Sequence, residues 1–82
     1  MKKTRKAKAR NEIGPRIREL RLESKPPVSQ DDLAGKLAAR GVLLDRSAIS
    51  RIESQSRYVM DYEITAIARA LKVTAGSLFG EG

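Results

Sequence analysis

The stretch VSQDDLAGKLAARGVLLDRSAISRIE, residues 28–53, contains two helix start signals in succession. In the first signal, the Ser29 hydroxyl can cap a helix, and Asp32 stands three residues later, where a capping box places its second partner. Apolar residues then recur at helical spacing, which predicts a helix over 30–40. Gly41 suits the left-handed residue that ends such a helix.

The second start signal lies at the end of the same stretch. Asp45 can cap a helix over 46–54. On a helical wheel the inward side of this helix is apolar and consists of Ala48, Ile49 and Ile52. Its outward side is short, polar and basic, and consists mainly of Arg46, Ser47, Ser50 and Arg51.

Similar patterns on both sides predict three more helices. They span 12–24, where Pro15 fits the first turn, 62–72, capped by Asp61, and 75–79, capped by Thr74. Phe79 is expected to close the core. No convincing alternating pattern predicts a strand. The chain is therefore expected to be all-α, with five short helices.

Length and charge divide the chain into two parts. Its 82 residues have room for one hydrophobic core, which we assign to residues 11–82. The formal net charge is +7, and residues 1–10 contain six lysines and arginines and no acid. Such a segment has little apolar surface to bury, so it is predicted to be a flexible basic arm with a polyanion as its natural partner.

The composition argues against several classes of function. Without cysteine or histidine the chain lacks the usual zinc ligands, a thiol nucleophile and an imidazole base. Its close pairs of acids stand at helix starts, where negative charge is favourable. We therefore expect no enzyme activity, no cofactor or metal, and no small-molecule ligand. No purely apolar run is longer than three residues, as in Val42 to Leu44, which is far too short for a membrane span. The absence of cysteine fits a reducing cytoplasm, so a cytoplasmic protein is expected.

The outward side of helix 46–54 fits a nucleic-acid partner. Arginine pairs with guanine through two hydrogen bonds, and serine can bond to any base in the major groove. We therefore assign base reading in double-stranded DNA to Arg46, Ser47, Ser50 and Arg51. The first turn of helix 30–40 can meet a phosphate through its free N–H groups. The residues expected to contact phosphates are Ser29, Gln30, Lys36 and Arg57.

A family resemblance supports this interpretation. The motifs IRELRLES, SQDDLAGKL, SAISRIE, YEITAIARALKV and SLF follow one another as in the lambda-repressor-like helix-turn-helix family, also called the XRE or Cro type, over roughly residues 12–79. The resemblance implies a five-helix, repressor-like transcription regulator that commonly binds a palindromic DNA site as a homodimer. It implies a phosphate-contacting role for Gln30 and an ion pair between Arg21 and Glu53. In this chain the turn between the two central helices is about five residues longer than is usual in the family.

Two alternatives remain open from the sequence. The same fold can serve as a protein-interaction module, such as an antitoxin or a subunit of a larger complex. The basic arm can also bind RNA, although the few aromatic residues offer no stacking platform for single-stranded bases.

Overall fold

The computed structural model describes residues 9–81, which contain five helices and no strand. They are α1 (Gly14–Glu23), α2 (Gln30–Ala38), α3 (Arg46–Glu53), α4 (Asp61–Ala70) and α5 (Ala75–Leu78). The predicted all-α class with five short helices is confirmed, and each helix end lies within two residues of its predicted place. The predicted arm lies outside the described residues except for Ala9 and Arg10. Within residues 9–81 no helix combines the length and apolar character that a membrane span requires.

Three of the predicted helix caps are present. The Ser29 hydroxyl accepts the backbone N–H of Asp32 at 2.9 Å, and the Asp32 carboxylate accepts the N–H of Ser29 at 3.1 Å. This backbone hydrogen bond is the main reason that the pKa of Asp32 lies below its ordinary value. Asp45 and Thr74 each accept the backbone N–H three residues further on. The starts of α2, α3 and α5 are thus fixed by local sequence.

Two expectations about the C-terminal part of the chain are wrong. Asp61 is the first residue of α4 and not its cap, because the carboxylate of Glu63 takes the backbone N–H of Met60 at 2.9 Å. Phe79 does not close the core, because Leu78 points inward and is fully buried while Phe79 is half exposed. The short α5 turns one large side chain inward, and the leucine takes that place.

The core lies between the helices and is aliphatic. Helix α1 packs against α3, α2 packs against both α3 and α4, and α4 packs against α5. The buried apolar residues are Ile13, Ile17, Leu33, Leu37, Leu44, Ala48, Ile49, Ile52, Ala66, Ile67, Ala68, Ala70, Leu71 and Leu78. Three of them belong to α3, so this helix is held on the core by its whole inward side.

Seven residues, 39–45, connect α2 to α3. Gly41 has φ +82°, in the left-handed region that glycine adopts most readily, and the N–H of Val42 closes the turn onto the carbonyl oxygen of Leu37 at 2.9 Å. Val42 is half-buried and Leu44 is buried, whereas Leu43 is 84% exposed. The long connection is therefore a turn followed by an extended segment, which packs on the core with Val42 and Leu44.

Candidate nucleic-acid interface

The outward side of α3 gathers all four residues that were assigned to base reading. Arg46, Ser47, Ser50 and Arg51 are exposed, while the apolar residues on the inward side are buried. The two serines are short, so the two longer arginines project beyond them. The result is a donor-rich ridge with a cation toward each end.

One carboxylate approaches this ridge from the neighbouring helix. The Asp31 Oδ2 lies 3.8 Å from the Arg46 Nη1, and both side chains are well exposed. An exposed pair of this length contributes little free energy and leaves the guanidinium accessible. Arg51 forms no ion pair with any carboxylate in residues 9–81. Of the two arginines on α3, Arg46 thus has a carboxylate as an ion-pair partner and Arg51 has none in the described part of the chain.

A buried ion pair joins α1 to the C-terminal end of α3. The Arg21 Nε donates to the Glu53 Oε2 at 2.7 Å and its Nη2 donates to the Oε1 at 2.9 Å, while its Nη1 donates to the backbone oxygen of Val28 at 2.9 Å. Only 7% of the Arg21 side chain and 6% of the Glu53 side chain are exposed. Two parallel charge-assisted bonds fix the relative position of the groups that they join. The pair therefore sets the orientation of α3 on the protein body.

Gln30 completes this network from α2. Its Nε2 donates to the Glu53 Oε1 at 3.1 Å, and the side chain is partly buried. Its amide is thus turned toward the ion pair, which the phosphate-contact assignment did not anticipate. The backbone N–H groups of Gln30 and Asp31 have no acceptor among residues 9–81, so the start of α2 keeps two free donors. The Ser29 hydroxyl beside them is the cap.

Arg57 also has an internal partner. Its Nη1 donates to the Glu63 Oε1 at 3.0 Å and to the Tyr58 backbone oxygen at 2.8 Å, and its Nη2 donates to the Glu63 Oε2 at 3.3 Å. Burial alone would raise the pKa of Glu63, but the bonds from Arg57 and Met60 outweigh it, so this pKa lies below its ordinary value. The bond to Glu63 raises the pKa of Arg57. The structure thus places this guanidinium at the start of α4, bonded to Glu63 and Tyr58.

Lys36 lies apart from the other assigned residues. It is exposed on the side of α2 that faces the end of α4, where it lines a depression together with Asp32, Leu71 and Lys72. Gln30 lies in a different depression, which includes Arg46. The structure therefore does not bring Lys36 onto the surface formed by α3 and the start of α2, because its place in the helical turn points it away.

Asn11 and Gly14, near the start of α1, help to hold α3 in place. The sequence alone did not identify either residue as important for the site. The Asn11 Nδ2 donates to the backbone oxygens of Ile52 at 3.1 Å and Arg57 at 2.8 Å, and its Oδ1 accepts the N–H of Gly14 at 2.8 Å. A Cβ at Gly14 would collide with the backbone oxygen of Ile52. Asn11 accepts the N–H of the residue three positions further on, as a capping side chain does, but its bonds to α3 depend on tertiary packing.

The root of the basic arm is fixed near the C-terminal end of α3. The backbone N–H of Arg10 donates to the oxygen of Gln55 at 2.9 Å, and its guanidinium carbon lies 5.2 Å from the centre of the Tyr58 ring. The Gln55 Nε2 donates to the backbone oxygen of Asn11 at 3.0 Å. Arg10, the last residue of the predicted arm, is therefore held beside the C-terminal end of α3.

Comparison of the chain with models of protein families, with curated proteins and with solved structures finds no match. Among residues 9–81 no three His, Cys, Asp or Glu side chains are grouped so that they could hold a metal ion. The chemistry of the ridge on α3 and of the groups around it is therefore the basis for a functional assignment.

Proposed function

We propose that this protein binds double-stranded DNA in a sequence-specific manner and acts as a transcriptional regulator of the helix-turn-helix type. One observation carries the proposal: α3 exposes Arg46, Ser47, Ser50 and Arg51 together, while its inward side and Glu53 hold it rigidly on the core. A rigid helix that presents arginines and serines is suited to recognise base edges.

The dimensions of α3 fit the major groove. The groove is about 12 Å wide and admits an α-helix. Arg46 and Arg51 are five residues apart, which corresponds to roughly 7.5 Å along the helix axis at 1.5 Å per residue. Base pairs are spaced by about 3.4 Å, so the two guanidinium groups can address bases about two steps apart. The short serines between them allow the helix to approach the bases closely.

The neighbouring helix supplies what phosphate binding needs. In helix-turn-helix proteins the first helix of the pair crosses the DNA backbone while the second enters the groove. Here α2 packs against α3, and the free N–H groups of Gln30 and Asp31 stand at the positive end of its dipole. The six cations in residues 1–10 add attraction for phosphates that does not depend on sequence. A second copy of the chain would read the second half of a palindromic site.

An alternative function as a protein-interaction module, such as an antitoxin or a subunit of a complex, is favoured by a different observation. Tyr58, Met60 and Tyr62 are exposed near the start of α4. Exposed aromatic residues and methionine are enriched in protein interfaces. In that case DNA binding would be incidental.

Salt dependence distinguishes these functions. We propose to measure the affinity of the full chain for a mixed-sequence duplex at several salt concentrations, with the Arg46→Ala/Arg51→Ala double variant in parallel. Each phosphate contact adds about 0.9 to the slope of log K against log salt concentration. A DNA-binding protein gives a slope equivalent to several contacts. The double variant should keep this slope, because its two arginines are assigned to bases and not to phosphates. Weak binding that is insensitive to salt would support the interaction module instead.

A further inference from the structure

Leu43 is the most exposed of the large apolar side chains in residues 9–81. It lies in the segment between α2 and α3 and is 84% exposed. Its two neighbours, Val42 and Leu44, turn toward the core, as alternate residues of an extended segment do. The backbone geometry therefore directs the residue at position 43 into solvent.

The fold does not require a leucine at this position. Gly41 makes the turn, and the bond from the N–H of Val42 to the oxygen of Leu37 holds the segment in place. Val42 and Leu44 supply its contacts with the core. A polar residue at 43 would leave all of these contacts intact, so the apolar character of Leu43 is available for an external contact.

The position of Leu43 relates it to α3. It lines a depression of about 600 Å³ together with Ala48 and Arg51 of α3. Small residues of α2, Ala34, Gly35 and Ala38, also line it, as do Asp45 and Arg57. Leu43 thus lies at the edge of the ridge on α3, on the side of Arg51. Of the two arginines of that ridge, Arg51 is the one without an ion pair in residues 9–81.

We propose that Leu43 contacts the 5-methyl group of a thymine adjacent to the base pair that Arg51 reads. This inference rests on the proposed function and names a further specificity-determining residue for it. Thymine is the base that presents a methyl group in the major groove, and an apolar side chain is what recognises it. Two arginines, Arg51 and Arg57, and one acid, Asp45, line the depression beside Leu43. This excess of positive charge favours a polyanion over an apolar protein surface as the molecule that covers this edge. The long connection between α2 and α3 thereby adds a base contact to the helix.

The test replaces each thymine of the selected DNA site by deoxyuridine, one at a time, which removes only the methyl group. At one thymine, wild-type protein loses affinity by about fourfold, the factor that corresponds to about 0.8 kcal/mol per buried carbon at 1.4 kcal/mol per tenfold. The Leu43→Ala variant binds the unmodified site more weakly and is indifferent to deoxyuridine at that position. The Leu43→Met variant, which keeps an apolar side chain, retains the sensitivity.

Three outcomes would overturn the inference. If the protein selects a DNA sequence but no thymine depends on Leu43, the inference is wrong and the proposed function stands. If no sequence is selected from random DNA, both are wrong. If Leu43→Ala changes the oligomeric state in sedimentation equilibrium without altering the response to deoxyuridine, the leucine contacts a second copy of the chain and not DNA. Unfolding curves of the variants should match that of the wild type, because the side chain is exposed.

Discussion

The guanidinium of Arg21 donates two parallel hydrogen bonds to the carboxylate of Glu53, with an Nε–Oε2 distance of 2.7 Å and an Nη2–Oε1 distance of 2.9 Å. Both side chains are buried. The pair connects α1 to the last residue of α3, so it determines how the ridge on α3 faces outward. Gln30 adds a bond from α2 to the same carboxylate. Side chains from three helices thus meet at the Glu53 carboxylate.

Removal of one member of this pair is expected to be severely destabilising. Arg21→Met leaves the Glu53 carboxylate buried without its cation, and such a loss typically costs about 3–5 kcal/mol. Urea unfolding followed by circular dichroism measures the change. The matched control is Glu19→Gln, which breaks the exposed Arg16–Glu19 pair, whose side chains are 35% and 61% exposed. That variant should lose at most about 1 kcal/mol. Equal losses in the two variants would refute the structural role of the buried pair.

Two glycines should respond to alanine with opposite signs. At Gly14 the new methyl group meets the backbone oxygen of Ile52, so α1 must move away from α3. We expect the free energy of unfolding to fall by about 1–3 kcal/mol, as in other overpacked sites. At Gly35, inside α2, a Cβ has open space around it, and Gly35→Ala should raise the stability by roughly 0.5–1 kcal/mol. Thermal unfolding of both variants tests this contrast, and destabilisation of the same size at both positions would contradict it.

The pH dependence of stability should reveal Glu63. The pKa of Glu63 in the folded protein lies below the ordinary value of 4.5. The Glu63 carboxylate therefore contributes its full share to the free energy of unfolding above pH 4.5, and this share is lost as the pH falls through the lowered pKa. Glu63→Gln should be less stable than the wild type at neutral pH by about 1–3 kcal/mol, since Arg57 loses a charged partner.

The difference in the free energy of unfolding between wild type and Glu63→Gln should become smaller as the pH falls below 4.5. Urea unfolding at a series of pH values measures it. Asp32 also loses stabilising charge in acid, but it is present in both proteins and cancels from the comparison. Glu23→Gln, which changes an exposed glutamate, serves as the control and should parallel the wild type. A gap that is independent of pH would mean that the charge of Glu63 is unimportant.

Removal of the basic arm should reduce the salt dependence of DNA binding. Deletion of residues 2–8 removes five lysines and arginines and leaves the contacts of Arg10 with Gln55 and Tyr58 in place. For each phosphate contact that is lost, the slope of log K against log salt concentration should fall by about 0.9. Fluorescence anisotropy with a labelled duplex gives both slopes. An unchanged slope would show that the arm does not contact DNA.

The local features of the fold could be predicted from sequence, whereas features that depend on packing could not. Ser29 and Asp45 act within three residues of their own position, and helical periodicity alone separates Ile49 and Ile52 from the exposed side of α3. The approach of Asp31 to Arg46 depends on how two helices cross, and no spacing along the chain encodes it.

The same limit applies to the residues whose roles were incomplete or overlooked. Arg57 follows α3 and looks like a free cation in the sequence, but the chain turns and brings it to Glu63. The close contact at Gly14 likewise arises only when α1 and α3 meet. The ion pair of Arg21 and Glu53 was expected only through the family resemblance, because the two residues are 32 positions apart.

Selection of binding sites from random DNA, with wild type and Arg51→Ala in parallel, shows whether α3 reads base sequence. Lys36→Ala serves as the control, since that side chain lies away from the ridge on α3. The wild type should enrich one motif, and Lys36→Ala should enrich the same motif. Arg51→Ala should lose the preference at one position, where a good pair of hydrogen bonds to guanine contributes about 1–3 kcal/mol of discrimination. If the wild type enriches no motif, or if Arg51→Ala enriches an unchanged one, α3 does not read DNA in the manner proposed.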